Sequence, residues 1–186
     1  REQDYPRHVH RIMQTAGWSD ITFSSFGVSG KTTKQLIADY PSTVSPAVDS
    51  SRFNILLIME DVNAILGYYS KFPDGCLTGL ENVTDMETLC ALAKADGIDK
   101  IIVLTGHYPF LQLDGTYNQP DAWDDDRRAE QRRYFELAQR EGIAGADVIV
   151  DLRYEKNTGT RTEGEYLDPR YLNDSVHKEG FGYINL

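Results

Sequence analysis

Short apolar runs rich in β-branched residues are the feature of this sequence that most constrains its fold. They occupy residues 21–23, 54–58, 100–104 and 147–150. None of them alternates apolar and polar residues, as a strand with one face in water would. Continuous apolar runs are typical of strands buried on both faces, in parallel sheets covered by helices. The runs therefore predict a mostly parallel sheet.

Segments with helical spacing of apolar residues lie between and beside these runs. A Thr84-x-x-Glu87 pattern predicts a capping box at the start of the third such segment, and Gly97 is expected to end it. Because strand and helix alternate along the whole chain, we predict one α/β domain over residues 1–186, built as a three-layer α/β/α sandwich. The apolar positions are Val9, Ile12, Met13 and Ala16; Leu36 and Ile37; Met86, Leu89, Cys90 and Ala93; and Tyr134, Leu137 and Ala138.

Charge and cysteine content exclude several classes of protein. The 29 acidic and 19 basic residues give a net charge of −10, which repels phosphate backbones, so no nucleic-acid partner is expected. No apolar run approaches the roughly 20 residues that cross a bilayer, so no membrane span is expected. Cys76 and Cys90 are too few for a disulfide scaffold and lack the histidine spacing of a zinc site. Cys90 is interpreted as a buried free thiol, with a single bridge to Cys76 as the alternative.

A glycine-rich stretch at residues 26–33 reads Phe-Gly-Val-Ser-Gly-Lys-Thr-Thr. It lacks the spacing of a phosphate-binding loop, which argues against nucleotide binding. Ser29 follows a glycine by two positions, but Lys31 stands where a nucleophile elbow requires a second glycine. Ser29 is therefore a poor candidate nucleophile.

Polar residues follow two of the apolar runs. Asn63 comes shortly after the run at residues 54–58, and taken alone it is equally well interpreted as a helix cap. Near the end of the chain, Asp174-x-x-His177 is followed by Gly-Phe-Gly-Tyr. A carboxylate three residues before a histidine can orient the imidazole and leave its other nitrogen free as a base.

Two further histidines have simpler interpretations. His107 follows the run at residues 100–104 and is interpreted as a surface loop residue, with a substrate contact as the alternative. His10, in the first helical segment, is interpreted as a surface residue.

Taken together, these stretches resemble the SGNH, or GDSL-like, hydrolase family of esterases, lipases, thioesterases and carbohydrate acetylesterases. The resemblance runs over nearly the whole chain and implies a flavodoxin-like sandwich, an ester substrate, and neither a metal nor an organic cofactor. It also favours secretion. The matching segments, in the family's order and with similar spacing, are Tyr5-Pro6, Gly27-Val28-Ser29-Gly30-Lys31-Thr32, Val62-Asn63-Ala64-Ile65, Ile102-Val103-Leu104-Thr105 and Asp174-Ser175-Val176-His177.

The resemblance assigns roles to four residues. The backbone N–H of Gly30 and the side-chain amide of Asn63 match the two donors of an oxyanion hole. His177 matches the general base and Asp174 the residue that orients it. One departure concerns Asn63, because the chain has Asp61 and Ala64 where many members read Gly-x-Asn-Asp.

The family's nucleophilic serine lies in a Gly-Asp-Ser turn at the end of a first strand, before the position matched by Tyr5. We therefore expect residues 1–186 to belong to a longer polypeptide, with this strand upstream of Arg1 and the end of the last helix beyond Leu186. The resulting hypothesis is a serine ester hydrolase that forms an acyl-enzyme. The alternative is a non-catalytic binding module for glycan or acyl ligands. The combination of Gly30, Asn63, Asp174 and His177 favours the enzyme, because a binding module does not require all four.

Overall fold

A computed structural model describes residues 5–28, 30–59, 62–66, 78–105 and 125–152. These residues divide into two compact units, and residues 5–27 belong to the first. The described residues from 28 to 152 belong to the second, which contains the sheet. The single domain expected for the whole chain stays a prediction.

The first unit contains helix α1, Tyr5–Thr15, as the apolar spacing predicted. The strand predicted at residues 21–23 is wrong, because these residues adopt no regular secondary structure. The ring of Phe23 instead stacks on His10, with ring centroids 5.5 Å apart. His10, interpreted from the sequence as a surface residue, is half-buried in this contact, while Phe23 stays 37% exposed. The apolar run at residues 21–23 therefore does not mark a buried strand.

The second unit contains a parallel sheet formed by β1 (Ile55–Ile58), β2 (Lys100–Thr105) and β3 (Val148–Asp151). The strand order is β1-β2-β3, and Val103 of β2 aligns with Ile58 and Ile149 on its two sides. Three of the four predicted strands and the α/β fold class are thereby confirmed.

The two faces of this sheet differ in burial. On one face, Ile101, Val103 and Thr105 of β2 are fully buried. On the other face, the outer strands expose Ile55 by 50% and Val148 by 39%. Burial on both faces, as the continuous apolar runs predicted, therefore holds only for the central strand of the described sheet.

Three helices of the second unit pack beside one another. They are α2 (Thr33–Thr43), α4 (Gly79–Ala95) and α5 (Asp125–Arg140), and α4 contacts both of the others. A short helix, α3 (Val62–Leu66), follows β1 and contacts all three. None of the described helices is both long and apolar enough to cross a bilayer. The core combines the buried sheet face with side chains of α4 and α5, namely Met86, Leu89, Cys90, Ala93, Tyr134, Phe135 and Ala138.

The start of α4 differs from the prediction. The helix begins at Gly79, and the hydroxyl of the N-cap residue Thr78 accepts a hydrogen bond from the backbone N–H of Glu81 at 3.1 Å. Thr84 lies inside the helix, where its hydroxyl donates to the carbonyl of Leu80, so the predicted capping box is wrong. Thr78 and Glu81 have the same spacing as Thr84 and Glu87 and come first along the chain. The end of α4 is as predicted, with Gly97 following the C-cap residue Asp96.

Gly79 is the point of closest approach between α4 and α5. Its backbone N–H donates to the Glu130 carboxylate at 2.7 Å. A Cβ atom at position 79 would come within 2.5 Å of the backbone nitrogen of Tyr134 and closer still to the carbonyl oxygen of Glu130. Both atoms belong to the backbone of α5, so neither moves without displacing the helix.

We expect Gly79→Ala to destabilise the protein by about 1–3 kcal/mol, the usual cost of forcing an extra methyl group into a packed core. This sign is opposite to the small stabilisation that alanine normally brings to a helix. Urea unfolding monitored by circular dichroism measures the difference. Gly27→Ala is the matched control, because a Cβ there meets no atom within 4 Å. Equal free energies of unfolding for Gly79→Ala and the wild type would contradict the close packing.

Asp147 connects the residues before β3 to β2 and α4. Its carboxylate accepts hydrogen bonds from the Ile101 backbone N–H at 2.7 Å and from the Lys94 ammonium at 2.8 Å. Its own backbone N–H donates to the carbonyl of Ile101 at 2.9 Å. The bond from Lys94 and then the bond from Ile101 hold the pKa of Asp147 below its ordinary value. The ionised form is therefore the one that the folded state favours.

A carboxylate whose pKa is lowered in the folded state stabilises the fold at pH values above its unfolded pKa, which is near 4. That stabilisation is lost as the pH falls through the lower, folded-state pKa. We therefore expect Asp147→Asn to lower the free energy of unfolding at pH 7. The difference from the wild type should shrink as the pH falls below about 4. Urea unfolding at pH 7 and at a pH below about 4 measures this difference in the free energy of unfolding. Asp126→Asn removes one charge at an exposed position and controls for net charge. A difference that is constant with pH would contradict this role of the carboxylate.

Candidate active site

Gly30 lies in a turn whose conformation favours glycine. Its φ angle is +81°, in the left-handed region that other residues rarely adopt. The turn includes a hydrogen bond from the Lys31 backbone N–H to the carbonyl of Val28 at 3.4 Å. Helix α2 begins three residues after Gly30 and contains Leu36 and Ile37, whose spacing predicted a helix.

The start of α2 is fixed by a capping box. The Thr32 hydroxyl accepts from the Gln35 backbone N–H at 3.4 Å, and the Gln35 side chain accepts from the Thr32 backbone N–H at 3.2 Å. Thr32 and Thr33 are both fully buried. Lys31 forms an ion pair with Asp39 farther along the same helix. The backbone on the carboxyl side of Gly30 is therefore held by the first turns of α2.

Asn63 lies on the segment that follows β1. It is the second residue of α3 and is half-buried, whereas its neighbours Ala64 and Ile65 are fully buried. Asn63 is thus inside the helix and does not occupy the cap position that the alternative interpretation gave it. Helix α3 contacts α2, the helix that follows the Gly30 turn.

These two segments offer the chemical groups that stabilise an oxyanion. A backbone N–H and a side-chain amide are both uncharged donors, and donors fixed before the reaction need no reorganisation when negative charge develops. Donors of these two kinds suit reactions in which a carbonyl oxygen becomes negatively charged, and the joint role of Gly30 and Asn63 stays a prediction.

Several candidate residues lie outside the described residues. They include Asp174 and His177, so the pairing of this carboxylate with this imidazole stays a prediction. Ser29, His107 and Cys76 also lie outside them.

Cys90 is a buried free thiol, as interpreted from the sequence. Burial is the main cause that raises its pKa to about 11. The thiolate, not the thiol, is the nucleophile, so Cys90 is not poised for nucleophilic catalysis at neutral pH.

A buried polar contact between the start of α2 and α4 was not predicted from the sequence. The Thr33 hydroxyl donates to the Asn82 side-chain oxygen at 2.9 Å, and both residues are fully buried. The signal for Asn82 was present, because this polar residue precedes Met86, Leu89 and Ala93 on the same helical face. A polar residue on an apolar helix face indicates a buried hydrogen-bond partner.

The chain has the fold of the SGNH, or GDSL-like, hydrolases. Among solved structures it is similar to the acetyl xylan esterase AlAXEase, with a TM-score of 0.67 and 16% identity, over 99% of this chain and 87% of that chain. It is also similar to a protein assigned as a GDSL-like lipase from Parabacteroides merdae, with a TM-score of 0.66 and 16% identity, over 96% of this chain and 75% of that chain. No protein-family model and no curated protein matches the sequence. The structural similarity confirms the fold that the sequence motifs implied.

Proposed function

We propose that the protein is a serine ester hydrolase that works through an acyl-enzyme intermediate. The observation that carries the proposal is the pair of potential oxyanion donors, Gly30 in its left-handed turn before α2 and Asn63 on α3, a helix that contacts α2. They occur in a fold shared with an acetyl xylan esterase and a GDSL-like lipase. Both of those names describe ester hydrolysis, which supports an acetyl or longer acyl ester as the substrate.

In the proposed mechanism, Asp174 orients His177 through a hydrogen bond to its Nδ1–H. His177 Nε2 then removes the hydroxyl proton of a serine in the segment that precedes residue 1, and the serine oxygen attacks the ester carbonyl. The carbonyl oxygen becomes negatively charged. Hydrogen bonds from the Gly30 N–H and the Asn63 amide stabilise that charge.

Collapse of the tetrahedral intermediate breaks the bond to the alcohol. Protonated His177 donates its proton to the departing alkoxide, and the acyl group stays bound to the serine oxygen. Water, deprotonated by His177, attacks the acyl-enzyme in the second half of the cycle. A second tetrahedral intermediate uses the same two donors and releases the carboxylic acid and the free serine.

The test of this proposal uses the natural full-length protein. A fluorophosphonate probe, which phosphonylates activated serines, is applied to the wild type and to His177→Ala, and the labelled residue is mapped by mass spectrometry. Hydrolysis of p-nitrophenyl esters of increasing acyl length is measured in parallel. We expect labelling of a serine upstream of Arg1 that is lost in His177→Ala. A complete polypeptide that takes up no probe and cleaves no ester would favour the binding-module alternative.

A further inference from the structure

We propose that Thr33 and Asn82 are positioning residues for the oxyanion turn, which we define as residues 30–32. Their buried hydrogen bond fixes the start of α2 against α4 and thereby sets the direction of the Gly30 N–H. This inference rests on the proposed function, because it assigns the pair a role in aligning one of the two oxyanion donors.

The contact itself joins two distant parts of the chain. The Thr33 Oγ1 to Asn82 Oδ1 distance is 2.9 Å, and the two residues are 49 positions apart in sequence. Both side chains are fully buried, so water cannot replace either partner. A hydrogen bond in such surroundings has a strong geometric preference, because a displaced partner leaves a buried polar group unpaired.

The backbone between this contact and Gly30 has little freedom. Thr32 is held by its reciprocal bonds with Gln35, and the Lys31 N–H is bonded to Val28. A shift of Thr33 relative to α4 is therefore transmitted to Gly30 and is not absorbed by a loose loop.

Helix α4 is a rigid support for this contact. Thr78 caps its first turn, and the Glu130 carboxylate binds the backbone N–H of Gly79, three residues before Asn82. The close packing of Gly79 on α5 prevents α4 from sliding. Asn82 thus lies one helical turn from Gly79, where α4 is hydrogen-bonded to α5 and packed against its backbone.

A second contact between α2 and α4 is weaker. Lys34 forms an ion pair with Glu81 at 2.7 Å, but the two side chains are 36% and 38% exposed. Ion pairs at such exposure contribute little, because water and salt screen the charges. The buried hydroxyl-to-amide contact is therefore better shielded from water than this ion pair.

The test compares Thr33→Val, which removes the hydroxyl and keeps the shape, with Thr33→Ser, which keeps the hydroxyl. We expect Thr33→Val to lower kcat for a p-nitrophenyl ester roughly 10-fold with KM unchanged, less than the loss of a whole donor. Thr33→Ser should restore kcat. Leu89→Ala, a buried change two turns farther along α4, controls for lost stability and should keep kcat at temperatures where it is folded.

A second readout does not depend on activity. Amide hydrogen exchange of Gly30, followed by NMR, should become faster in Thr33→Val and remain at the wild-type rate in Thr33→Ser and Leu89→Ala. If Thr33→Val does not fold, Asn82→Ser gives the same test, because it keeps a polar group but shortens it. Faster Gly30 exchange in Thr33→Val, together with a wild type that cleaves no ester, would support the positioning role while refuting the proposed function. Thr33→Val with wild-type kcat and wild-type Gly30 exchange would overturn the inference.

Discussion

Replacing His177 with alanine is expected to lower kcat of the complete enzyme by roughly 10⁴-fold or more. Without the imidazole, no group takes the proton from the serine as it attacks, and none protonates the departing alcohol. The residual rate would come from the oxyanion donors and substrate binding alone. Steady-state kinetics with a p-nitrophenyl ester, extended to long times for the variant, measure the loss.

His107→Ala is the matched control for this variant, since it removes the same side chain at a position that follows β2 in the sequence. If His107 is a surface residue, the kinetics of His107→Ala should be unchanged. If His107 contacts the substrate, KM should rise while kcat is preserved. A His177→Ala enzyme whose kcat stays within tenfold of the wild type would refute its role as the base. Asp174 would then lose its assigned role as well, because it acts only through this imidazole.

The second large effect is expected for Asn63→Ala, which should lower kcat about 10²- to 10³-fold with little change in KM. The amide stabilises charge that is present in the transition state and absent from the bound ester. Its loss therefore slows the chemical step and leaves ground-state binding intact. The ratio of kcat values at saturating substrate measures the contribution of this donor.

Asn54→Ala provides the control, because Asn54 directly precedes β1 whereas Asn63 follows β1 and lies in α3. The Asn54 side-chain amide donates to the backbone carbonyls of Asp49 and Arg52 at 2.8 and 2.9 Å, so its loss should affect stability and not kcat. An Asn63→Ala variant with unimpaired kcat would refute the oxyanion assignment. Equal losses of kcat in both variants would indicate a general structural effect.

Local patterns in the sequence predicted most of the fold. The continuous apolar runs identified β1, β2 and β3, and the helical spacing identified α1, α2, α4 and α5. These predictions succeed because continuous apolar runs and the helical spacing of apolar residues can be read from neighbouring positions in the sequence. The run at residues 21–23 failed because Phe23 is 37% exposed, so a run of three residues is too short to establish burial.

Local patterns did not predict contacts between residues that are distant in the sequence. Asn82 was not singled out from the sequence, and its partner Thr33 is determined by how α2 packs on α4. The close approach of Gly79 to the backbone of α5 likewise has no local pattern. For the candidate site, the family resemblance assigned roles to Gly30 and Asn63, and these roles stay predictions. The direction of their donors depends on packing that no local pattern encodes.

The buried thiol of Cys90 can report how often the structure around it opens. The side chain is fully inaccessible, and a Cβ on Gly145 would lie 3.0 Å from its Cβ, so the segment after α5 lies directly against it. A thiol reagent can therefore modify Cys90 only in molecules in which this segment has moved away or the chain has unfolded. In a Cys76→Ser background, the modification rate relative to that of the unfolded chain gives the population of such open molecules. Comparing that population with the one obtained from urea unfolding would show whether the segment opens by itself or only with the whole unit.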